Sequence, residues 1–190
     1  MARMVREKEE RSRFNGIGLS VTDATAQLKE QFGYDDEKLA AINGRPDGFT
    51  RLMNALEESR EDEARLCVAY GCDVNVRATG DDQTTALHYA AAKGLTASVR
   101  LLIAAGAAVD AECSAGHPAG RTPLSWASFF GRLPAASALL KAGARPNAPS
   151  RYGTPLHLAL LGDHGDVADL LRAKGGVDDG PEEEEGGDDR

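Results

Sequence analysis

Histidines, cysteines and carboxylates are the side chains here that could do chemistry, and their spacing argues against it. Of four histidines and three cysteines, Cys113 and His117 share one loop, but two donors four residues apart fall short of the four ligands of a closed zinc site. Cys67 falls on the apolar side of a helical stretch and reads as packing. The acids gather near the C-terminus, where nothing would hold them in a fixed geometry. No phosphate-binding glycine loop, no nucleophile beside a base and no carboxylate pair in a cleft can be read from the chain. The expectation is no catalytic residue, no metal, no cofactor and no enzymatic activity.

Recognition chemistry is better represented. Trp126, the one tryptophan, stands with Phe129 and Phe130 in a chain that is only 5% aromatic. Which other residues share their face depends on the elements that carry them, and these are written as a repeat. Thr85-Ala86-Leu87-His88-Tyr89-Ala90, Thr122-Pro123-Leu124-Ser125-Trp126-Ala127 and Thr154-Pro155-Leu156-His157-Leu158-Ala159 are versions of one phrase, with Thr50-Arg51-Leu52-Met53-Asn54-Ala55 a weaker fourth. A glycine follows each threonine at an offset of 21: Gly71, Gly106, Gly143 and Gly175. Threonine spacings of 35, 37 and 32 residues match stacked helical hairpins.

One repeat can be built from these residues. The threonine caps a first helix, Pro123 and Pro155 fit its first position, and Leu87, Leu124 and Leu156 point into the stack. Gly94 and Gly131 separate this helix from a second, predicted over Ala97–Ala105, Pro134–Ala142 and Asp166–Ala173, each with a leucine pair for burial. The offset-21 glycines end the second helices in the left-handed region, and a short extended hairpin leads to the next repeat.

The threonine-proline-leucine-histidine start, the apolar second helix and the closing glycine resemble the ankyrin repeat, over roughly residues 45–179. The fold class implied is all-α: an ankyrin-repeat solenoid of four units, about 47–80, 81–117, 118–150 and 151–179. The resemblance implies that His88 and His157 hydrogen-bond backbone between repeats and are not sites. Asp73-Val74-Asn75-Val76 is similar to the site that asparagine hydroxylases modify in ankyrin repeats, but Asn75 is read as a structural turn residue.

Ankyrin-like stacks bind through hairpin tips and the concave face of their first helices. Offsets 4, 7 and 8 from each threonine then place Trp126, Phe129 and Phe130 together, flanked by Tyr89 and Leu158. The tips add Arg121, Arg151 and Tyr152, besides Asp81, Asp82 and Gln83, and Asp47 with Phe49. The implied function is a non-enzymatic protein-protein interaction module, an adaptor or small subunit of a larger assembly. The alternative is a stoichiometric inhibitor or regulatory subunit of an enzyme such as a kinase or phosphatase.

Outside the repeats, residues 1–20 form an arm with both signs of charge. Residues 21–44 carry helical spacing, Val21, Ala24, Leu28 and Phe32 ending at Gly33, capped by Thr22 or Asp23, then a short helix over Asp35–Ile42. This pair is expected to cap the open end of repeat one. Net charge is −8. Asp178 to Arg190 holds eight acids against one base, a local −7 that leaves −1 elsewhere. The tail at 180–190 is expected to be disordered alone and to suit a basic partner surface, and direct nucleic-acid binding is not expected. An odd cysteine count, no secretory signal and no apolar run of about 20 residues suggest a chain without a membrane span in a reducing, intracellular and most simply cytoplasmic setting, and the resemblance implies a monomer on its own.

Overall fold

A computed structural model describes residues 18–44, 49–79, 83–113 and 120–180. The predicted all-α solenoid is what forms. Two short helices come first, α1 Val21–Phe32 and α2 Asp36–Ala40. Four hairpins follow: α3 Arg51–Glu57 with α4 Glu61–Tyr70, α5 Ala86–Lys93 with α6 Thr96–Ala104, α7 Pro123–Phe129 with α8 Leu133–Lys141, and α9 Pro155–Leu161 with α10 Gly165–Ala173. First helices pack in one row, α3 on α5 on α7 on α9, and second helices in another, α4 on α6 on α8 on α10. Among the described residues the extended connections form no strand beyond an isolated antiparallel bridge between Cys113 and Arg121.

Helix starts and stops repeat in register because the same residue types recur. Thr50, Thr122 and Thr154 accept the N–H three residues on, from Met53, Ser125 and His157, each cap contributing about 1 kcal/mol. Every first helix stops the same way: a residue at offset 9 turns left-handed, and the next N–H reaches back to the alanine carbonyl at offset 5. These bonds run Arg60 to Ala55 (2.7 Å), Leu95 to Ala90 (2.9 Å), Arg132 to Ala127 (2.7 Å) and His164 to Ala159 (2.9 Å). The left-handed residues are Gly94 and Gly131 as expected, but Ser59 and Asp163 in the outer repeats. A side chain there costs roughly 1–2 kcal/mol. The second helices begin one residue earlier than predicted, at Thr96, Leu133 and Gly165, because the tight turn hands its last residue directly to the next helix.

The core is a chain of thin layers. Leu52, Leu87, Leu124 and Leu156 are buried at the equivalent position of the first helices, as are Leu102, Leu139 and Leu171 in the second helices, where Cys67 holds that position in the first repeat. At about 25 cal/mol per Å² of apolar surface, these leucines supply most of the cohesion between neighbouring repeats. A polar seam runs beside them. Asn43, Asn75, Asp110 and Asn147 accept, through their side-chain oxygens, the backbone N–H of Asp73 (3.0 Å), Ala108 (2.8 Å), Arg145 (3.0 Å) and Val177 (2.8 Å) in the following unit. The Asn75 and Asn147 amides also donate to the carbonyls of Gly106 and Gly175. Asn75 thus ties two repeats together, as its reading as a turn residue requires.

Helix α1 lies against α4. Its cap is Ser20, which accepts the Asp23 N–H; the predicted Thr22 and Asp23 fall inside the first turn, because the helix starts earlier to bring Val21 and Ala24 onto the buried face. Tyr34, just beyond α1, is nearly buried and donates its hydroxyl to Glu63 on α4 (2.6 Å), and Glu63 also receives the Arg60 guanidinium. Cys67 lies in the same layer, fully buried, and burial pushes its thiol up to about 12. Burial likewise drives the Tyr34 phenol far above its ordinary value.

Candidate functional site

His88 anchors the middle of the first-helix row. The Thr85 N–H donates to its Nδ1 (3.2 Å), so Nδ1 is the acceptor and the proton sits on Nε2, which donates to the Arg121 carbonyl (3.0 Å) in the next repeat. Burial is the main cause that pushes the imidazole down to about 4, with the nearby charges of Arg77 and Arg121 adding to it. The ring is therefore neutral at pH 7. Arg121 is thereby fixed by its own backbone, through His88 and through the Cys113 N–H (3.0 Å). Its guanidinium lies over the ring of Trp126 (5.4 Å) and over that of Tyr152 (5.1 Å).

A row of rings extends from this point across the first three repeats. Phe49 meets Tyr89 edge-on at 5.8 Å, Tyr89 meets Trp126 at 6.3 Å, Trp126 meets Phe130 at 6.3 Å, and Phe130 meets Phe129 at 5.2 Å. Edge-to-face pairs of this kind are each worth about 0.5–1.5 kcal/mol beyond burial. The row is thus a rigid surface whose shape is set before any ligand arrives. Trp126 also packs against His88 at 5.7 Å, and its Nε1 is buried with no hydrogen-bond partner among the described residues. An unpaired buried donor costs about 1–3 kcal/mol, which the contacts of the indole with His88, Tyr89, Phe130 and Arg121 offset.

A family model for ankyrin repeats in three copies matches residues 25–113 and 52–150. The chain belongs to the ankyrin-repeat family. Among curated proteins it is similar to the human neurogenic locus notch homolog protein 4, 53% identical over 53 residues, 27% of this chain and 3% of that protein. It is 33% identical over 125 residues, 65% of this chain and 5% of the relative, to the ankyrin repeat and KH domain-containing protein mask-1 of Caenorhabditis elegans. To the human ankyrin repeat and SOCS box protein 16 it is 38% identical over 113 residues, 57% of this chain and 25% of the relative. The chain spans a quarter or less of each of these relatives. Ankyrin repeats of this family are interaction modules, generally non-enzymatic, and imply protein partners. No helix among the described residues is long and apolar enough to cross a membrane.

Placed on this ankyrin stack, the predicted site residues separate by burial. Tyr89, Trp126 and Phe129 are half-buried in the ring row, Phe130 is 42% exposed and Tyr152 50% exposed. Arg121 is half-buried between rings, and Arg151 is exposed at the tip. Leu158 does not belong with them: at 1% exposure it is core. Its backbone position matches Tyr89 and Trp126, but a branched aliphatic chain there turns into the layer where the larger rings cannot. The apolar surface of repeat four lies instead at Leu160 and Leu161, 38% and 65% exposed. Leu160 occupies offset 6, where Leu56, Ala91 and Ser128 are buried by the next repeat, and no repeat covers it among the described residues. That exposure is a property of stacking order and carries no local signal.

The histidine expectation needs one correction. His88 bonds backbone across repeats, but His157 meets the Asp178 carboxylate at 2.9 Å, because residues 177–179 take the place where the next hairpin would lie. Phe49, expected only as part of a tip, is the first member of the ring row. Asp47, Asp81, Asp82 and His117 lie outside the described residues, so the Cys113-His117 pairing is untouched by the geometry. Among the described residues no group of three or more His, Cys, Asp or Glu could hold a metal ion.

Proposed function

We propose that this chain is an adaptor or small subunit that grips a protein partner along the first-helix ring row and its hairpin tips. The observation that carries the reading is the row itself, five rings in edge contact from Phe49 to Phe129 with Arg121 held between two of them. Rigid aromatic and arginine side chains are the residue types that dominate binding energy at protein interfaces. Phe130 within the row and Tyr152 over Arg121 supply exposed apolar area, as an interface centre requires.

The test is capture of partners with the intact chain, followed by calorimetric titration of the recovered protein against surface variants. Phe130→Ser and Tyr152→Ala should each weaken binding by about 1–2 kcal/mol with the native far-UV circular dichroism retained, Phe130→Ser also lowering unfolding stability by about 1–3 kcal/mol through its contacts with Trp126 and Phe129. Leu158→Ala is the contrasting control, a core truncation costing about 2–5 kcal/mol of stability. Unchanged affinity in both surface variants would remove the ring row from the interface. Whether the partner is an enzyme that loses activity on binding separates the inhibitor role from the adaptor role.

A further inference from the structure

Asn43, Asn75 and Asn147 hold the same position of the polar seam, and Asn43 differs from the other two. Asn75 and Asn147 use both ends of the side-chain amide, the oxygen accepting from Ala108 and Val177 and the nitrogen donating to the Gly106 and Gly175 carbonyls. Asn43 uses only its oxygen, which accepts the Asp73 N–H at 3.0 Å. The donation equivalent to those of its counterparts would reach the Gly71 carbonyl, and it is not made among the described residues. Asn43 is exposed, and with Gly71, Asp73 and Asn75 it lines an open cavity of about 460 Å³.

The residue that follows differs as well. Val76 and Ala148 follow Asn75 and Asn147, whereas Gly44 follows Asn43. With no side chain on the next residue, its backbone nitrogen can approach the asparagine Cγ closely. Glycine is not free to vary here, because a Cβ on residue 44 would lie 2.8 Å from the Ala41 carbonyl oxygen. The tight exit from α2 thus demands the residue that leaves Asn43 open to attack. A turn bond opposes that attack, the Gly44 N–H donating to the Ala41 carbonyl at 2.7 Å. It follows a helix of only five residues, too short to be stable by itself, so the bond opens at low cost.

We propose that Asn43 is a site of spontaneous deamidation, and that the isoaspartyl link it forms with Gly44 unfastens the α1–α2 cap from repeat one. The Gly44 nitrogen attacks Cγ of Asn43. A C–N bond forms, the Cγ–Nδ2 bond breaks, and the Gly44 amide proton leaves with the departing group as ammonia. The Asp73 N–H already lies on Oδ1, where negative charge develops in the tetrahedral intermediate. Water then opens the five-membered imide, at the side-chain carbonyl to give aspartate or at the main-chain carbonyl to give isoaspartate. Isoaspartate carries an extra carbon in the main chain and a shorter side chain, which withdraws the acceptor from the Asp73 N–H. None of these steps involves the ring row, so the proposal stands or falls apart from the binding function.

The full chain is held at mildly alkaline pH, digested and mapped by mass spectrometry, so that each asparagine is read in its own peptide. Asn43 should convert at least roughly ten-fold faster than Asn75 or Asn147, because its neighbouring nitrogen is unhindered. Hydrogen exchange is then measured on the chromatographically separated isoaspartyl form, beside fresh protein and Asn43→Asp. All three carry Asn15→Gln, which removes the other Asn-Gly pair. Exchange at the Asp73 N–H and in α1 should accelerate in the isoaspartyl form and stay near that of fresh protein in Asn43→Asp, whose carboxylate still accepts from Asp73. Conversion of Asn43 no faster than that of Asn75 and Asn147 overturns the proposal, as does an isoaspartyl form that exchanges like fresh protein. Equal acceleration in Asn43→Asp also overturns it, since added charge and not the lengthened main chain would then loosen the cap.

Discussion

Acidification should destabilise this protein through His88, and by a predictable amount. The ring is fully buried, accepts from Thr85 at Nδ1 and donates from Nε2 to Arg121. Protonation would replace the Nδ1 acceptor with a donor facing the Thr85 N–H and put positive charge near Arg77 and Arg121. These causes, burial first, push the group from 6.5 down to about 4. Because the folded value is the lower one, the unfolded chain takes the proton first, and stability rises with pH wherever the unfolded state binds more protons. The contribution is complete above about pH 6.5 and is lost as pH falls toward 4. Two and a half units at about 1.4 kcal/mol each come to about 3 kcal/mol, a large share of the roughly 5–15 kcal/mol that holds an ordinary domain. Urea unfolding followed by far-UV circular dichroism from pH 4 to 7.5 measures it, comparing the native chain with His88→Gln. The variant should be less stable at pH 7, and the two curves should converge by about 3 kcal/mol on the way to pH 4. Parallel curves would refute the reasoning, because the acid sensitivity would then belong to other groups.

Two further outcomes follow from particular backbone and side-chain positions. Ser59→Gly and Asp163→Gly should each raise stability by about 0.5–1 kcal/mol, since both residues hold the left-handed turn that Gly94 and Gly131 occupy without strain. The reverse change, Gly131→Ala, should destabilise by more than that, because a Cβ there lands on the His164 ring; thermal unfolding of the three variants orders them. Tyr34→Phe removes a donor from Glu63, which is only 3% exposed, and should cost about 1.5–3 kcal/mol, with hydrogen exchange accelerating first in α1. In the native chain, by contrast, Cys67 should react with thiol reagents only as fast as the repeat opens, because a buried thiol at about 12 supplies almost no thiolate.

The repeat was legible because its signals are local. A threonine at each first-helix start, a leucine in each layer and a glycine after each second helix act within a few residues, so four copies of them specify four hairpins. Even so, Ser20 escaped as a cap, since competing cap residues at Thr22 and Asp23 look equivalent until the buried face of α1 is known. Asp163 escaped as a turn residue for a related reason, as only the hydrogen bond from His164 to Ala159 marks offset 9 as left-handed in repeat four.

The candidate binding face was legible only in part. Offsets along the repeat brought Tyr89, Trp126, Phe129 and Phe130 to one side of the first helices, which is a matter of helical period. Whether a side chain at such an offset is surface or core depends on what the next repeat presents. Leu158 is core because it fills the layer against its neighbour, and Leu160 is exposed because nothing follows it among the described residues. The cradle around Arg121 likewise joins residues of three different repeats, His88, Trp126 and Tyr152, whose distances are set by stacking. Sequence alone therefore determined the unit and its number, while burial, the cradle around Arg121 and the identity of the open face were decided by how those units stack.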